Sequence, residues 1–164
     1  MADYEHKLKA QTAPYLEPGE TVLSAVIARP RGSTMAVAGG AAGLAGAVAG
    51  QALGGRSVRR NNQAGAEAGL KLANPMALVL TDRRLLVLEA TMPIALGKGG
   101  DIKSLVSSVP LADVESIQAK RLLAGGIMTV TVGGTAFKLE AGKGTSVKSL
   151  ATEFERARAA VTPA

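Results

Sequence analysis

Five arginines border an uncharged stretch of the chain, and their type and spacing indicate contact with an anion. Residues 32–55 contain no charged side chain, whereas residues 29–75 contain six basic residues and one acid, a net charge of +5 out of +6 for the whole chain. Basic residues beside an apolar helix favour an anionic lipid surface. A solvated collar that keeps an apolar helix in solution fits the same pattern, so both interpretations stay open. The arginines are Arg29, Arg31, Arg56, Arg59 and Arg60.

Small residues recur every four positions inside the uncharged stretch. Fifteen of the twenty residues at positions 36–55 are Ala or Gly. Residues four apart share one face of a helix, so each row of small residues forms a groove that another backbone can approach closely. This predicts helix packing, with a second copy, within a bilayer or against the chain's own sheet. One row is Gly39, Gly43 and Ala47, and the other is Gly46, Gly50 and Gly54.

Residue types that support catalysis are scarce. The chain has no cysteine, and its one histidine, His6, lies in a polar N-terminal segment. Metal sites in proteins mostly draw on Cys and His ligands, so no metal site is expected. No phosphate-binding loop with the Walker A spacing occurs. We therefore expect a protein that is not an enzyme and that uses no cofactor and no small-molecule substrate.

The same composition limits the partners and the compartment. Aromatic residues make up 2% of the chain, and residues 29–75 contain none, so nucleic acid is an unlikely partner because the basic segment offers no stacking platform. The absence of cysteine is typical of a reducing compartment. The polar N-terminus lacks the apolar core of a secretory signal. These features predict a cytoplasmic protein, with peripheral membrane association as an option.

Outside the basic segment, the pattern predicts short strands followed by one helix. Apolar runs at residues 76–80 and 85–89 flank a polar turn, and residues 127–132 and 135–140 alternate around Gly133-Gly134, which is typical of a hairpin. Apolar residues from Val147 to Val161 recur at helical spacing, which predicts an amphipathic C-terminal helix. Further elements are predicted as a helix at 3–13 and strands at 21–28, 102–109 and 114–119.

The basic segment itself is predicted to form a helical hairpin. A first helix should span about residues 35–53 and a second about residues 63–73, with Asn62 as the N-cap of the second. Residues 54–62 combine two glycines, two asparagines and three arginines, which indicates a turn. The second arm contains Glu67 and Lys71, and it is too short and too polar to span a bilayer.

Three motifs resemble those of bacterial pleckstrin-homology-like and GRAM-like domains. They are LEPGETV at residues 16–22, LTDRRLLVL at 80–88 and VPLADVESI at 109–117. The resemblance covers residues 16–31 and 76–161, and it implies a seven-stranded bent sheet with a C-terminal helix and no enzymatic activity. Members of such families bind lipids, proteins or each other. Arg29 and Arg31 loosely match the basic residues with which related domains hold phosphates.

Together these features predict an α+β, mainly β protein with three parts. Residues 1–15 form an N-terminal helix or tail, residues 16–31 and 76–164 form the pleckstrin-homology-like domain, and residues 32–75 form an inserted helical hairpin. We expect a binding or assembly module that forms a homo-oligomer through the glycine rows and that contacts anionic membrane lipids through the arginines. Two alternatives stay open: a hairpin inserted in the bilayer, and a monomer whose hairpin packs on its own sheet.

Overall fold

An antiparallel sheet forms the centre of the computed structural model, which describes residues 2–33, 43–92, 100–123, 125–142 and 147–161. The strands are β1 (Val22–Pro30), β2 (Met76–Thr81), β3 (Arg84–Ala90), β4 (Ile102–Pro110), β5 (Val114–Leu122), β6 (Gly125–Val132) and β7 (Thr135–Ala141). They lie in the order β4-β3-β2-β1-β7-β6-β5, and every neighbouring pair is antiparallel. The α-helices of the described residues are α1 (Ala2–Thr12), α2 (Gly43–Glu67) and α3 (Val147–Val161).

This architecture confirms the fold class predicted from the sequence. A mainly β protein with an open, seven-stranded antiparallel sheet and a C-terminal helix is what the resemblance to pleckstrin-homology-like domains implied. The predicted hairpins β2–β3 and β6–β7 are present, and each predicted strand lies within about three residues of its observed bounds. Strands that follow one another in the chain mostly pair, because short connections keep consecutive strands adjacent in space.

Strands β2 and β3 are buried on both faces, which explains why their sequences are apolar without alternation. One face of these strands joins the main core with Leu78, Leu80 and Leu85, over which Phe154 of α3 packs. The other face forms a second core in which Leu8 of α1 contacts residues such as Val79. A strand that is covered on both sides needs apolar residues at consecutive positions.

Helix α3 covers the main core with the predicted apolar stripe. Val147, Leu150 and Phe154 are buried, and Ala157 packs at the edge of the core. Val161 belongs to the same stripe by spacing but is exposed, because the helix extends beyond the sheet at its last turn. The helix therefore closes one face of the sheet over about three turns, from Val147 to Ala157, rather than over its whole length.

Helix α2 corrects the predicted hairpin. Residues 54–62, predicted as a turn, are helical throughout, and α2 runs without a break from Gly43 to Glu67. The predicted second helix at 63–73 therefore does not begin at Asn62 and ends at Glu67 instead of Ala73. The glycines at 54 and 55 are tolerated because packing against the sheet, rather than helix propensity, stabilises this segment. Residues 35–42 of the predicted first helix lie outside the described residues.

Candidate functional site

Helix α2 packs on strands β7 and β1 through a stripe of small residues. A close approach occurs at Gly32, just after β1, where an added Cβ would lie 2.7 Å from the carbonyl oxygen of Gly54 and 2.8 Å from Cβ of Ser57. Gly54 is thus a glycine of the predicted rows that is covered by the chain itself. Residues of α2 on the packed side that are buried or partly buried are Gly54, Ser57, Val58, Asn61, Ala64 and Gly65.

The buried side chain of Asn61 joins α2 to the sheet. Its Oδ1 accepts a hydrogen bond of 2.6 Å from the backbone N–H of Lys138 in β7. Its Nδ2 donates to the carbonyl oxygens of Ser57 at 2.9 Å and Arg31 at 3.4 Å. β1 and β7 pair over only three residues. Beyond Pro30, the side-chain amide of Asn61 binds backbone groups of both Arg31 and Lys138 and so takes the place of sheet hydrogen bonds. Asn62, the predicted N-cap, is exposed inside the helix, five residues before its C-terminal end.

Three of the predicted arginines lie together on the outward side of α2. Arg56, Arg59 and Arg60 are all exposed, and their i, i+3 and i+4 spacing places them on one side of the helix. Among the described residues, no acidic side chain forms a salt bridge with any of these guanidinium groups, and none of them has a buried partner. Arg59 Nε donates to the carbonyl oxygen of Gly55 at 3.4 Å. Glu67 is on the same side but binds Gln63, two turns further along. We call Arg56, Arg59 and Arg60 the basic face.

The remaining two predicted arginines are placed differently from each other. Arg31 is exposed, its backbone N–H donates to the Lys138 carbonyl oxygen at 3.0 Å, and Asn61 binds its carbonyl oxygen, so it lies beside α2. The structure thereby adds Lys138, which the sequence analysis did not single out and whose side chain is exposed. Arg29 is half-buried, and its guanidinium donates to the sulfur of Met92. Arg29 therefore does not join the basic face.

The first two family-like motifs meet in a buried ion pair. Glu20 has a side chain with 0% exposure, and its carboxylate accepts hydrogen bonds of 2.9 Å from both Nε and Nη2 of Arg84. Thr81 Oγ1 donates to the same carboxylate at 2.7 Å, and the N–H of Glu17 donates at 2.8 Å. We call Glu20, Thr81 and Arg84 the Glu20 cluster. Each carboxylate oxygen has two donors, so the charge is buried with its hydrogen bonds satisfied.

These bonds shift the ionisation of both partners. The hydrogen bond from Arg84, together with those from Thr81 and Glu17, lowers the pKa of Glu20 from 4.5 to about 2 and outweighs the opposing effect of burial. The hydrogen bond from Glu20 in turn raises the pKa of Arg84. Both groups stay charged over the whole ordinary pH range, so the cluster cannot act as a proton donor or acceptor there.

Backbone hydrogen bonds extend this junction to all three motifs. Asp82 Oδ1 accepts from the N–H of Thr21 at 3.0 Å, and the N–H of Asp82 donates to the Thr21 carbonyl oxygen at 3.0 Å. The N–H of Leu111 donates to the Arg83 carbonyl oxygen at 2.8 Å. The backbone N–H that Asp82 binds is thus 61 residues away in the chain. The motifs that carry the resemblance hold the fold together at one end of the sheet.

The described residues offer few groups suited to metal binding or catalysis. No group of three or more His, Asp or Glu side chains in the described part of the chain could hold a metal ion. His6 is exposed on α1. Of the helices within the described ranges, none combines the length and the apolar character that crossing a bilayer requires.

The glycine rows are described in part. Gly43, Gly46 and Gly50 lie in α2, so the four-residue spacing within each row is helical from Gly43 onward. Gly39 lies outside the described residues. Gly54 is buried against the segment after β1, as described above.

Comparison with solved structures finds chains with a similar fold. No protein-family model matches the chain, and no curated protein matches it. Among solved structures, the chain is similar to a DUF1696 family protein with a pleckstrin-homology domain from Shewanella loihica. The identity is 12%, the TM-score is 0.44, and the match covers 92% of this chain and 90% of the other.

Proposed function

We propose that the protein is a non-enzymatic binding module that contacts an anionic lipid surface through the basic face of α2. The observation that supports this most is the division of α2 into two sides. Its small residues and Asn61 are used inside the molecule, whereas Arg56, Arg59 and Arg60 point outward together. Like charges at i, i+3 and i+4 destabilise a helix slightly. An arrangement that costs stability and satisfies no internal partner fits a role in binding.

Electrostatics gives the expected strength of this contact. A Lys or Arg near an anionic membrane contributes about 1 kcal/mol, so the basic face contributes about 3 kcal/mol, or roughly a hundredfold in affinity. Arg31 and Lys138, both exposed beside Asn61, would add to the same field. Because these charges are exposed, salt should weaken the binding.

Lipid is favoured over nucleic acid by the residues that accompany the arginines. No aromatic side chain occurs between residues 29 and 75, so bases would find nothing to stack on. A phospholipid surface requires only positive charge at the level of the phosphates.

Vesicle sedimentation with the full chain tests this proposal. The probe is vesicles of phosphatidylcholine with and without phosphatidylserine. R56Q/R59Q/R60Q should lower binding to the phosphatidylserine vesicles roughly a hundredfold. The matched control, K9Q/K103Q/R156Q, removes the same charge from three exposed ion pairs on other elements. An equal loss in both variants, or no loss in the first, would contradict the proposal.

Self-association through the glycine rows is the second candidate function. It is supported by the continuity of α2, which keeps Gly43 with Ala47 and Gly46 with Gly50 at helical spacing. Gly54 is covered by the chain's own Gly32, so a second copy would dock on the part of the helix before it. Such a contact would make the protein a homo-oligomer.

Light scattering on Gly46→Leu with Gly50→Leu tests self-association. If the rows hold copies together, the particle mass falls to that of a monomer, while circular dichroism shows an intact sheet. Ala66→Leu is the matched control, because Ala66 is exposed on α2 outside both rows. An oligomer whose mass is the same in both variants would refute the glycine-row interface.

A further inference from the structure

The turn between β5 and β6 exposes two neighbouring leucines. Leu122 is 44% exposed and Leu123 is 105% exposed, the highest value among the large hydrophobic side chains that the structure describes. Leu122 closes the hairpin opposite Gly125. Single exposed apolar residues are ordinary on a protein surface, whereas two adjacent exposed leucines at the end of a hairpin form an apolar patch.

A glycine on the opposite strand explains why Leu122 has no side-chain partner there, and Leu123 follows it in the turn. Gly125 and Gly126 stand across from Leu122 and Arg121, so β6 offers no side chain there. Neither glycine has room for one: an added Cβ would lie 2.1 Å from the Ala141 carbonyl oxygen at Gly125 and 2.5 Å from a Val147 methyl at Gly126. β6 is therefore pressed against β7 and the first residue of α3. The start of β6 is thus closely packed, while the leucines of the hairpin end stay exposed.

The residues that precede the leucines are both basic. Lys120 and Arg121 are exposed, and among the described residues neither forms an ion pair. No acidic residue occurs from Ser116 to Leu139. We call Lys120, Arg121, Leu122 and Leu123 the β5–β6 tip. Leu122 and Leu123 make its end apolar, and the two cations precede them directly in the chain.

The dimensions of the tip match the boundary of a bilayer. A strand rises about 3.3 Å per residue, so the cations lie roughly 7 to 10 Å behind Leu123. Apolar side chains of interfacial segments enter about 5 to 10 Å into the boundary between headgroups and acyl chains. Leucines in that layer would place Lys120 and Arg121 at the level of the phosphates.

We propose that the β5–β6 tip inserts into an anionic lipid surface. Leu122 and Leu123 enter the acyl boundary, and Lys120 and Arg121 bind lipid phosphates. This inference shares with the proposed function the class of partner, an anionic lipid surface. It uses none of the residues of the basic face. Charge complementarity selects lipid as the occupant: an apolar protein partner would satisfy the leucines but not the adjacent unpaired cations.

A single tryptophan provides a direct readout, since the chain contains none. In Leu123→Trp, emission should shift to shorter wavelength on addition of phosphatidylcholine vesicles that contain phosphatidylserine. Lipids brominated on the acyl chain should quench it. The matched control is Leu105→Trp, which replaces an exposed leucine on β4 (39% exposed) and should neither shift nor be quenched. An unchanged spectrum for Leu123→Trp would overturn the inference, as would equal quenching at both sites.

Vesicle sedimentation of three variants separates this inference from the proposed function. L122S/L123S should lower binding to phosphatidylserine vesicles about tenfold or more, and K120Q/R121Q about thirtyfold. Loss in these variants with full binding by R56Q/R59Q/R60Q supports the tip and contradicts the basic face. Loss in R56Q/R59Q/R60Q alone overturns the tip. Loss in all three supports both sites, and loss in none overturns both.

A protein partner at the tip would give a different result. If Leu122 and Leu123 join two copies of the chain, the mass of the protein without lipid should exceed that of a monomer and fall in L122S/L123S. That outcome, measured by light scattering, would also overturn the inference. All substituted side chains of the tip are exposed, so circular dichroism should show the fold unchanged in every variant.

Discussion

The Glu20 cluster and the basic face use arginine in opposite ways. Arg84 is 16% exposed and binds a fully buried carboxylate, whereas Arg56, Arg59 and Arg60 are exposed and pair with no acid in the described chain. A buried charge is tolerated only when every hydrogen bond is made, so the first arrangement serves the fold. An unpaired exposed charge is free to bind. The motifs that resemble a known family thus supply residues that stabilise the fold, whereas the basic face supplies an exposed surface for binding.

The largest expected effect follows from removing one partner of the buried pair. Glu20→Ala leaves Arg84 without its carboxylate and should lower the free energy of unfolding by about 3 to 5 kcal/mol. Urea denaturation measures this change. Glu17→Ala is the matched control, because Glu17 is 58% exposed and only approaches Arg83 and Arg84 at 3.7 and 3.8 Å. Its substitution should cost about 1 kcal/mol or less, and a similar loss in both variants would remove the distinction between the two regions.

Acid should weaken the same cluster. The pKa of Glu20 is lowered to about 2 in the folded state, so the unfolded chain binds a proton more readily as the pH falls below about 4.5. Stability from this group is therefore complete above that pH and is lost as the pH falls towards 2, by about 3 kcal/mol in all. Urea denaturation at a series of pH values should show this decline, and Glu20→Gln should lack it. A decline of equal size in Glu20→Gln would assign it to other carboxylates.

The contact between α2 and β1 should respond to a single methyl group. Gly32 has φ +100 and almost touches Gly54 and Ser57, so Gly32→Ala adds a steric clash to backbone strain. Gly69→Ala introduces strain at φ +80 with no atom within 4 Å of the new Cβ. We expect a loss of about 3 kcal/mol for the first and about 1 kcal/mol for the second. Equal losses would show that α2 does not depend on this close approach.

The sequence predicts local structure well where apolar pattern and turn chemistry agree. The strands on both sides of Thr81 and of Gly133 were predicted because apolar runs stop at polar or glycine turns. It does not predict which side chains meet across the chain: Glu20 and Arg84 were both visible within motifs, yet nothing local indicated that they pair over 64 residues. The one sequence feature that pointed to this ion pair was the presence of an acidic residue in one motif and a basic residue in another.

Helix α2 shows why the rest was out of reach. Glycine, asparagine and arginine at residues 54–62 favour a turn by propensity, but packing on β7 and the hydrogen bonds of Asn61 favour a helix. Tertiary contacts override weak local preferences. The exposure of Leu122 likewise depends on a glycine in the neighbouring strand, which the sequence of β5 alone does not reveal.

The smallest expected effect is on the stability of the basic-face variant. R56Q/R59Q/R60Q removes three exposed charges that repel one another, and it breaks no ion pair among the described residues. Its free energy of unfolding should stay within about 0.5 kcal/mol of the parent. Any change should be towards greater stability, because the substitutions remove repulsion between like charges at i, i+3 and i+4 and break no ion pair among the described residues. Urea denaturation decides this. A loss above about 2 kcal/mol would mean that these arginines, like Arg84, hold the fold, and the loss of vesicle binding in this variant would then have a structural cause.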